Sequence, residues 1–318
     1  LPICLPAQGC LASTSDTTLP PIHPSGSKSI RRKAVNSSTL VIAITEDTIS
    51  LDPARAFETL PTIVHKALYE TLVTFPPDSV AEVIPGLADS WTISDDGTVY
   101  SFTLRSGATF SDGSAVKASD VVFSFNRAKN MKGNSSFLFN TVASVEAPDD
   151  STVVMTLTAP DPAILAKIVF GAFSVTSQAL VEANGGTAAE DAATTDGAEE
   201  WLNSNSAGSG PYTLEKWERG VETVLVKNAN YTGPTPGTIE RVIFRNVPEA
   251  ATQKLQLEAG DIDIAFDLVA DQVPALKENP DVVVFEALSD TLIFLKGNNN
   301  PDVGGAASDP LVQKAIRL

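Results

Sequence analysis

The feature that most limits how this chain can fold is a segment of alternating apolar and polar residues built around an Asp-Gly turn. Residues 91–105 read WTISDDGTVYSFTLR, and their centre, Asp95-Asp96-Gly97, has the residues that a tight β-hairpin needs. After the turn, Tyr100, Phe102 and Leu104 alternate with polar residues. This alternation predicts a hairpin with one face on a core and the other in water.

A second Asp-Gly turn, at Asp112-Gly113, leads into a predicted helix. Ser119 is the expected N-cap of this helix, and Asp120 lies in its first turn. Its apolar face is formed by residues at helical spacing, namely Val121, Val122, Phe125 and Ala128.

Elsewhere, further hairpins interrupt an alternation of strands and helices, which predicts a mixed α/β fold with a partly antiparallel sheet. Residues 40–44 read as a buried strand, and 62–75 as a helix ended by Pro76-Pro77. Residues 212–227 read as a hairpin, and 249–265 as a helix, a stop at Gly260 and a strand.

Three stretches are less regular. Residues 163–175 are apolar, and their periodicity leaves a helix and a strand equally open. Residues 185–210 are small, acidic and glycine-rich, which favours a surface excursion with a short helix near Trp201. The glycines of the following GSGPY, residues 208–212, are interpreted as permitting a close turn.

The composition excludes some classes of function. At 318 residues the chain has room for two domains. Its net charge of −17 repels phosphate backbones, so no nucleic-acid partner is expected. No run of about 18 apolar residues is present, so no transmembrane helix is predicted.

The usual catalytic and metal-binding constellations are missing from the sequence. Both cysteines lie in the first ten residues, and His65 is the one histidine outside the N-terminal stretch, so no metal site is predicted and His65 is given a structural or solvated role. Asp261 and Asp263 share a strand face, which suits a metal or acid/base pair but equally a solvated strand end. We therefore expect neither an enzyme nor a cofactor.

The two ends of the chain carry their own predictions. Residues 1–38 are rich in Pro, Ser and Thr and are interpreted as a leader or flexible linker. LPAQGCLAS loosely resembles the end of a bacterial lipoprotein signal with Cys10 as the lipidated residue, and an ordinary linker cysteine is the alternative. Residues 309–318 begin a helix with Asp309 as N-cap and Pro310 in its first position, and we expect a C-terminal part to be missing.

Several motifs in a fixed order give the chain a family resemblance. Residues 85–128, PGLADSWTISDDGTVYSFTLRSGATFSDGSAVKASDVVFSFNRA, closely resemble the signature segment of family 5 extracellular solute-binding proteins, the peptide/nickel-type components of ABC importers. The remaining matching motifs are SLDPARA (50–56), ALYETLV (67–73), GSGPYTLEKWERGVETVLVKNANY (208–231), KLQLEAGDIDIA (254–265) and DPLVQKAIRL (309–318).

The resemblance implies an α/β fold of the two-lobed, type II periplasmic-binding-protein kind, with mixed sheets and a truncated second lobe. It places lobe I at residues 39–266, including a signature subdomain at about 60–150, and the start of lobe II at 267–318. Such proteins close on a solute by hinge motion between the lobes.

The resemblance also implies where a solute would be held. The loop after the SLDP motif would pair with the backbone of a peptide, through Phe57, Glu58 and Thr59. Aromatic Phe137 and the second-lobe residues Leu292 and Phe294 would also face the cleft.

The implied function is an extracytoplasmic binding protein that delivers oligopeptides or a related small solute to the permease of an ABC importer. A periplasmic or extracellular location, with or without a lipid anchor, and a monomeric state go with it. A ligand-sensing or regulatory module on the same fold is the alternative, and a hydrolase is disfavoured by the lack of a nucleophile–base pair.

Overall fold

The computed structural model describes residues 38–77, 79–285, 302 and 305–316. The strands of this part are, in chain order, β1 (Thr39–Ile44), β2 (Val73–Thr74), β3 (Ile84–Pro85), β4 (Ala88–Ile93), β5 (Val99–Leu104), β6 (Val142–Glu146), β7 (Thr152–Leu157), β8 (Tyr212–Glu218), β9 (Glu222–Lys227), β10 (Arg241–Asn246) and β11 (Ile264–Ala265).

The α-helices of the same part are α1 (Thr59–Leu68), α2 (Ala118–Asn130), α3 (Ile164–Lys167), α4 (Gln178–Ala183), α5 (Ala192–Thr195), α6 (Glu199–Leu202), α7 (Ala250–Ala259), α8 (Val273–Lys277) and α9 (Pro310–Ile316). Turns of 3₁₀-helix lie at Ser136–Phe139, Gly171–Phe173 and Gly305–Ser308. The mixture of helices with parallel and antiparallel strands confirms the predicted α/β class.

A five-stranded mixed sheet has the order β11-β1-β10-β9-β8. β1 pairs in parallel with β10 and β11, whereas β9 is antiparallel to both β8 and β10. The predicted strand at 40–44 and the predicted hairpin at 212–227 are both confirmed, and the hairpin turns at Gly220 with φ +73°. α1 covers this sheet because Val64 and Leu68 pack among its buried aliphatic and aromatic residues.

The end of α1 differs from the sequence prediction. The helix ends at Leu68 rather than continuing to Pro76-Pro77, and Tyr69 is already extended. The N–H of Gly210 donates to the carbonyl of Leu68 at 3.0 Å, so the GSG segment takes the position of the next helical turn. These glycines have a structural role, as interpreted, but through close approach to a helix: a Cβ on Gly208 or Gly210 would overlap the backbone of α1.

A four-stranded antiparallel sheet has the order β4-β5-β7-β6 and contains the predicted hairpin at residues 91–105. The predicted hairpin is confirmed, with Gly97 at φ +69° in its turn. α2 is also confirmed, but Ser119 is not its N-cap. Lys117 occupies that position, because the carboxylate of Asp120 accepts the N–H of Lys117 at 2.9 Å and holds the chain there.

The core beside this sheet is aromatic. Phe125 of α2 meets Phe173 edge-to-face at 5.0 Å between centroids, and Phe173 stacks on Phe139 at 4.2 Å. Each such pair adds about 0.5–1.5 kcal/mol beyond its buried area. The apolar stretch 163–175, left open between helix and strand, forms α3 and the 3₁₀ turn Gly171–Phe173.

The last described elements follow the predicted order. α7 ends at Gly260, which has φ +79°, and β11 follows it. The N–H of Leu311 donates to the Asp309 carboxylate at 2.7 Å at the start of α9. The sequence from residue 282 to 296 also reads as two strands, and most of it lies outside the described residues. None of the helices in the described ranges has the length and apolar character needed to span a bilayer.

Candidate functional site

One edge of the five-stranded sheet gathers the loops that build the candidate site. Because β1, β8 and β10 point the same way, Ile44, Glu218 and Asn246 end at the same edge. Loops at the carboxyl ends of strands are the usual binding region of α/β sheets. The loop that leaves β1 is held there by the Asn246 side chain, which donates to the carbonyl of Glu46 at 3.1 Å.

Within this loop, Asp52 organises the turn that leads to α1. Its carbonyl accepts the N–H groups of Arg55 at 3.0 Å and Ala56 at 2.9 Å. Its carboxylate accepts the N–H of Ala54 at 3.0 Å. Both the backbone and the side chain of one residue therefore fix the direction in which residues 57–59 leave the turn.

Residues 57–59 form the exposed shoulder between this turn and α1. The Glu58 carboxylate folds back to accept the N–H of Phe57 at 3.1 Å. The carbonyl of Phe57 and the N–H groups of Glu58 and Thr59 make no hydrogen bond with any described residue. The hydrogen bonds of the described fold therefore leave these main-chain donors and this acceptor unused.

Three phenylalanines from distant parts of the sequence meet beside the shoulder, and we call them the aromatic cluster. Phe57 lies edge-to-face on Phe137 at 5.8 Å and contacts Phe170 at 5.2 Å between ring centroids. Phe57 is 37% and Phe137 54% exposed, whereas Phe170 is half-buried against the core. Two large rings thus remain available for contact on one surface.

A buried ionic network, which we call the Arg127 network, supports the loop from behind. Arg127 on α2 grips the Asp52 carboxylate with two bonds of 2.7 and 2.6 Å. It also bonds the Asp196 carboxylate twice, both at 2.8 Å. Arg55 adds a second cation within 3.4 Å of both carboxylates. Arg55 also pairs with the more exposed Glu199 at 3.5 Å, so the two arginines face three carboxylates.

Burial and the charged partners shift the pKa values of Asp196 and Arg127 in opposite directions. Desolvation acts to raise the pKa of Asp196, but the bonds from Arg127 outweigh it and hold that pKa below its ordinary value. Desolvation lowers the pKa of Arg127, and the bonds to the two aspartates more than compensate. Arg127 and Asp196 are therefore both charged at neutral pH.

A cavity of about 530 Å³ opens next to the loop. Its volume falls within the range typical of small-molecule sites. Two of the residues that line the cavity belong to features already described: Arg55 to the Arg127 network, and Trp217 to the carboxyl end of β8. The lining residues are Arg55, Asp196, Gly197, Glu199, Glu200, Asn203, Ser204 and Trp217.

His65 is buried in α1, which favours the structural over the solvated role. It is 2% exposed, and its Nε2 donates to the carbonyl of Leu51 at 2.9 Å. Desolvation, the dominant cause, lowers its pKa from 6.5 to about 4, against the raising effect of the Leu51 bond. Its imidazole is therefore neutral and committed to a backbone partner.

We expect His65 to make the protein less stable in mild acid. In the unfolded chain the imidazole takes up a proton near pH 6.5, but in the folded chain only near pH 4. Between these values the unfolded state binds more protons, so the free energy of unfolding falls as the pH falls, by about 2 kcal/mol from pH 7 to pH 5. Urea unfolding of the protein and of His65→Gln at both pH values measures this share. An identical pH dependence in the two proteins would contradict the assignment.

Two of the aspartates after α7 serve the fold, whereas Asp261 is exposed. The carboxylate of Asp263, a half-buried residue, accepts the N–H of Val41 at 2.8 Å. Asp267 accepts both the N–H and the hydroxyl of Thr45, at 2.8 and 2.9 Å. No three His, Cys, Asp or Glu side chains converge as metal ligands in the part of the chain that the structure describes.

The structure places the predicted site residues as follows. Phe57 and Phe137 touch, and Glu58 and Thr59 adjoin them on the shoulder. Leu292, Phe294 and Cys10 lie outside the described residues. Phe170 and Asp196 were missed, because neither carries a local signal: Phe170 sits in the apolar stretch of open periodicity, and Asp196 in the supposed surface excursion.

That excursion is better packed than its composition suggests. Ala192, Ala198 and Leu202 are each at most 1% exposed, and the predicted short helix is confirmed as α6. Asn203, just after α6, accepts the N–H of Leu51 at 2.7 Å. The segment is therefore a wall of the site rather than a solvated loop.

Comparison with known proteins adds the family context. Residues 82–318 match the family model described as bacterial extracellular solute-binding proteins, family 5 Middle. The chain is 35% identical over 274 residues to the probable D,D-dipeptide-binding periplasmic protein DdpA of Escherichia coli strain K12, an alignment that covers 85% of this chain and 51% of that protein. It is 28% identical to the glutathione-binding protein GsiB of Shigella boydii, over 89% of this chain and 54% of that protein.

A solved structure of a periplasmic binding protein also resembles this chain. The periplasmic binding protein DppA of Helicobacter pylori, in complex with the peptide STSA, superimposes with a TM-score of 0.65 at 28% identity, over 76% of this chain and 49% of that chain. The chain spans about half the length of the curated relatives it matches. It belongs to family 5 of the bacterial extracellular solute-binding proteins.

Proposed function

We propose that the protein is the extracytoplasmic solute-binding component of an ABC importer, which captures oligopeptides or a related small solute and delivers it to the membrane permease. The observation that carries this proposal is the shoulder at residues 57–59, where main-chain groups with no hydrogen-bond partner among the described residues lie next to exposed aromatic rings. The proposal involves no covalent step.

Main-chain groups on the shoulder suit a peptide. A peptide of any sequence has N–H and carbonyl groups that can pair with an exposed, extended segment, while neighbouring pockets read its side chains. The carbonyl of Phe57 and the N–H of Thr59 supply one acceptor and one donor. The names of two relatives refer to a D,D-dipeptide and to glutathione, both short peptides, which supports the same ligand class.

The exposed rings supply the apolar part of the site. Phe137 is 54% exposed although it contacts another ring, so a solute that covers it removes apolar surface from water. Apolar walls with a few directed polar groups are typical of small-molecule sites. Leu292 and Phe294 would complete the cleft from the second lobe.

The proposal includes the lobes and the location. Residues 39–266 would form lobe I with its signature subdomain, and residues 267–318 would begin lobe II, which swings toward the shoulder when solute binds. The protein would act as a monomer in the periplasm or outside the cell, with Cys10 as a candidate lipid anchor. Two relatives are named as periplasmic proteins, which supports this location.

Screening the complete gene product by thermal shift and calorimetry tests the proposal. Di- and tripeptides, D,D-dipeptides, glutathione, nickel chelates and oligosaccharides would be compared. We expect peptides to stabilise the protein by about 2.7 kcal/mol at a free concentration 100 times Kd. A response to sugars or nickel chelates only, or to none of these classes, would overturn the peptide assignment.

A further inference from the structure

We infer that Arg127 is a positioning residue for solute binding: it holds the loop that presents residues 57–59, although it touches no solute itself. The inference rests on the proposed function, because it concerns the same shoulder. Arg127 is 1% exposed, so any influence on a solute must pass through the residues that it grips.

The path from Arg127 to the shoulder is short and consists of directed contacts. Arg127 holds the Asp52 carboxylate with both arms of its guanidinium, and the same carboxylate accepts the N–H of Ala54. The Asp52 carbonyl then accepts the N–H groups of Arg55 and Ala56. Phe57 follows at once, so the orientation of its ring and carbonyl depends on the orientation of Asp52.

A second path runs through the wall of the site. Arg127 holds Asp196, whose carboxylate also accepts the N–H of Thr187 at 3.0 Å. The same segment continues through α6 to Asn203, which accepts the N–H of Leu51, the residue just before Asp52 in the loop. Arg127 therefore fixes the loop in two ways: directly through Asp52, and indirectly through Asp196 and the segment that packs against the loop.

Stability does not require such a network. Buried ion pairs can be replaced by apolar residues of similar volume without loss of stability. The planar guanidinium contributes a fixed orientation instead, because its N–H groups hold two carboxylates at defined angles. In a site that must present a backbone segment to a solute, a fixed direction lowers the ordering that binding would otherwise require.

Two variants of the complete gene product test the inference. Asp196→Asn keeps the Asp52 pair but weakens the wall, and Arg127→Lys keeps the charge but loses the fork. The matched control is Glu70→Gln, which breaks the partly buried pair with Arg105, whose contacts are 3.0 and 3.1 Å. Glu70 lies just after the last residue of α1, so the length of this helix, about 15 Å, separates the control from the shoulder.

Two measurements are needed for each protein. Hydrogen exchange reports the protection of the N–H groups of Ala54, Arg55 and Ala56 without any solute. Calorimetry reports Kd for the peptide found in the screen, at a temperature where every variant is fully folded. If a variant leaves the loop in its binding orientation for a tenth of the time, its affinity falls about 10-fold.

We expect Asp196→Asn and Arg127→Lys to lose protection at these three amides and to bind about 10-fold more weakly, while Glu70→Gln changes neither. Unchanged Kd and protection in both variants, or an equal loss in Glu70→Gln at the same overall stability, would overturn the inference. If the unaltered protein binds no peptide, the proposed function fails, and exchange at the three amides still decides whether Arg127 orders the loop.

Discussion

Replacing Arg127 by methionine is expected to lower the free energy of unfolding by about 3–5 kcal/mol. The side chains of Asp52 and Asp196 are both 0% exposed, and the substitution leaves these two carboxylates buried without the cation that links them. Only Arg55, whose side chain is 27% exposed, would then remain near them, so these buried carboxylates must stay charged at high cost or take up a proton. Urea unfolding at pH 7, followed by circular dichroism, measures the loss.

A double-mutant cycle separates this effect from a simple loss of packing. Asp52→Asn is destabilising by itself because it leaves the guanidinium half paired. The combined variant, Arg127→Met with Asp52→Asn, removes both charges of the pair, so neither is left buried without the other. Its free energy of unfolding should therefore fall by about 1–3 kcal/mol less than the sum of the losses in the two single variants. Additivity to within about 0.5 kcal/mol would show that the two residues do not act as a pair.

An exposed ion pair of similar length provides the control. Lys117 and Asp150 approach to 2.9 Å, but their side chains are 51% and 78% exposed. Water and salt screen such a pair, so Asp150→Asn should leave the unfolding midpoint unchanged. A loss as large as that of Arg127→Met would mean that distance rather than burial sets the value of ion pairs in this protein.

Local signals predicted much of the fold. The Asp-Gly turn before β5, the hairpin of β8 and β9, and the glycine stop after α7 are each decided by residues within one turn of the place they specify. Alternation and helical spacing act over the same short range. These elements could therefore be predicted without knowing what they pack against.

The failures have long-range causes. α1 ends at Leu68 because Gly210, 142 positions later, takes the carbonyl that the next helical turn would have used. The acidic excursion packs because Asp196 meets Arg127, 69 positions earlier. No window of neighbouring residues contains both members of either pair, so propensity favoured a longer helix and a solvated loop.

In the candidate site, too, some residues could be predicted from the sequence and others could not. Phe57 and Phe137 could be named because the motifs on either side of them resemble a family, and the structure brings their rings together. Phe170 completes the aromatic cluster but lies in a stretch whose periodicity fits two structures equally. Its place in the cluster follows from the packing of α3 and the following 3₁₀ turn, which the sequence does not reveal.

Removing both exposed rings of the aromatic cluster is expected to weaken peptide binding about 100-fold, while the folded protein loses little stability. Phe57→Ala and Phe137→Ala each delete a ring that is more than one third exposed, so the core loses few contacts. A solute that covers the rings would gain their apolar area, and central aromatic residues dominate the energy of most binding sites. A 100-fold change in Kd corresponds to about 2.7 kcal/mol.

The control for this double variant is Ile93→Ala on β4, which deletes an apolar side chain of similar exposure, 47%, outside the aromatic cluster. Calorimetry on the complete gene product gives Kd for each variant, and thermal unfolding confirms that each is folded. Because the two rings touch each other, removing one lets the other shift, and the single variants should not add up to the double. If the double variant binds peptide within threefold of the unaltered protein, or if Ile93→Ala weakens binding equally, the solute does not lie on the aromatic cluster and the shoulder at residues 57–59 is not the binding segment.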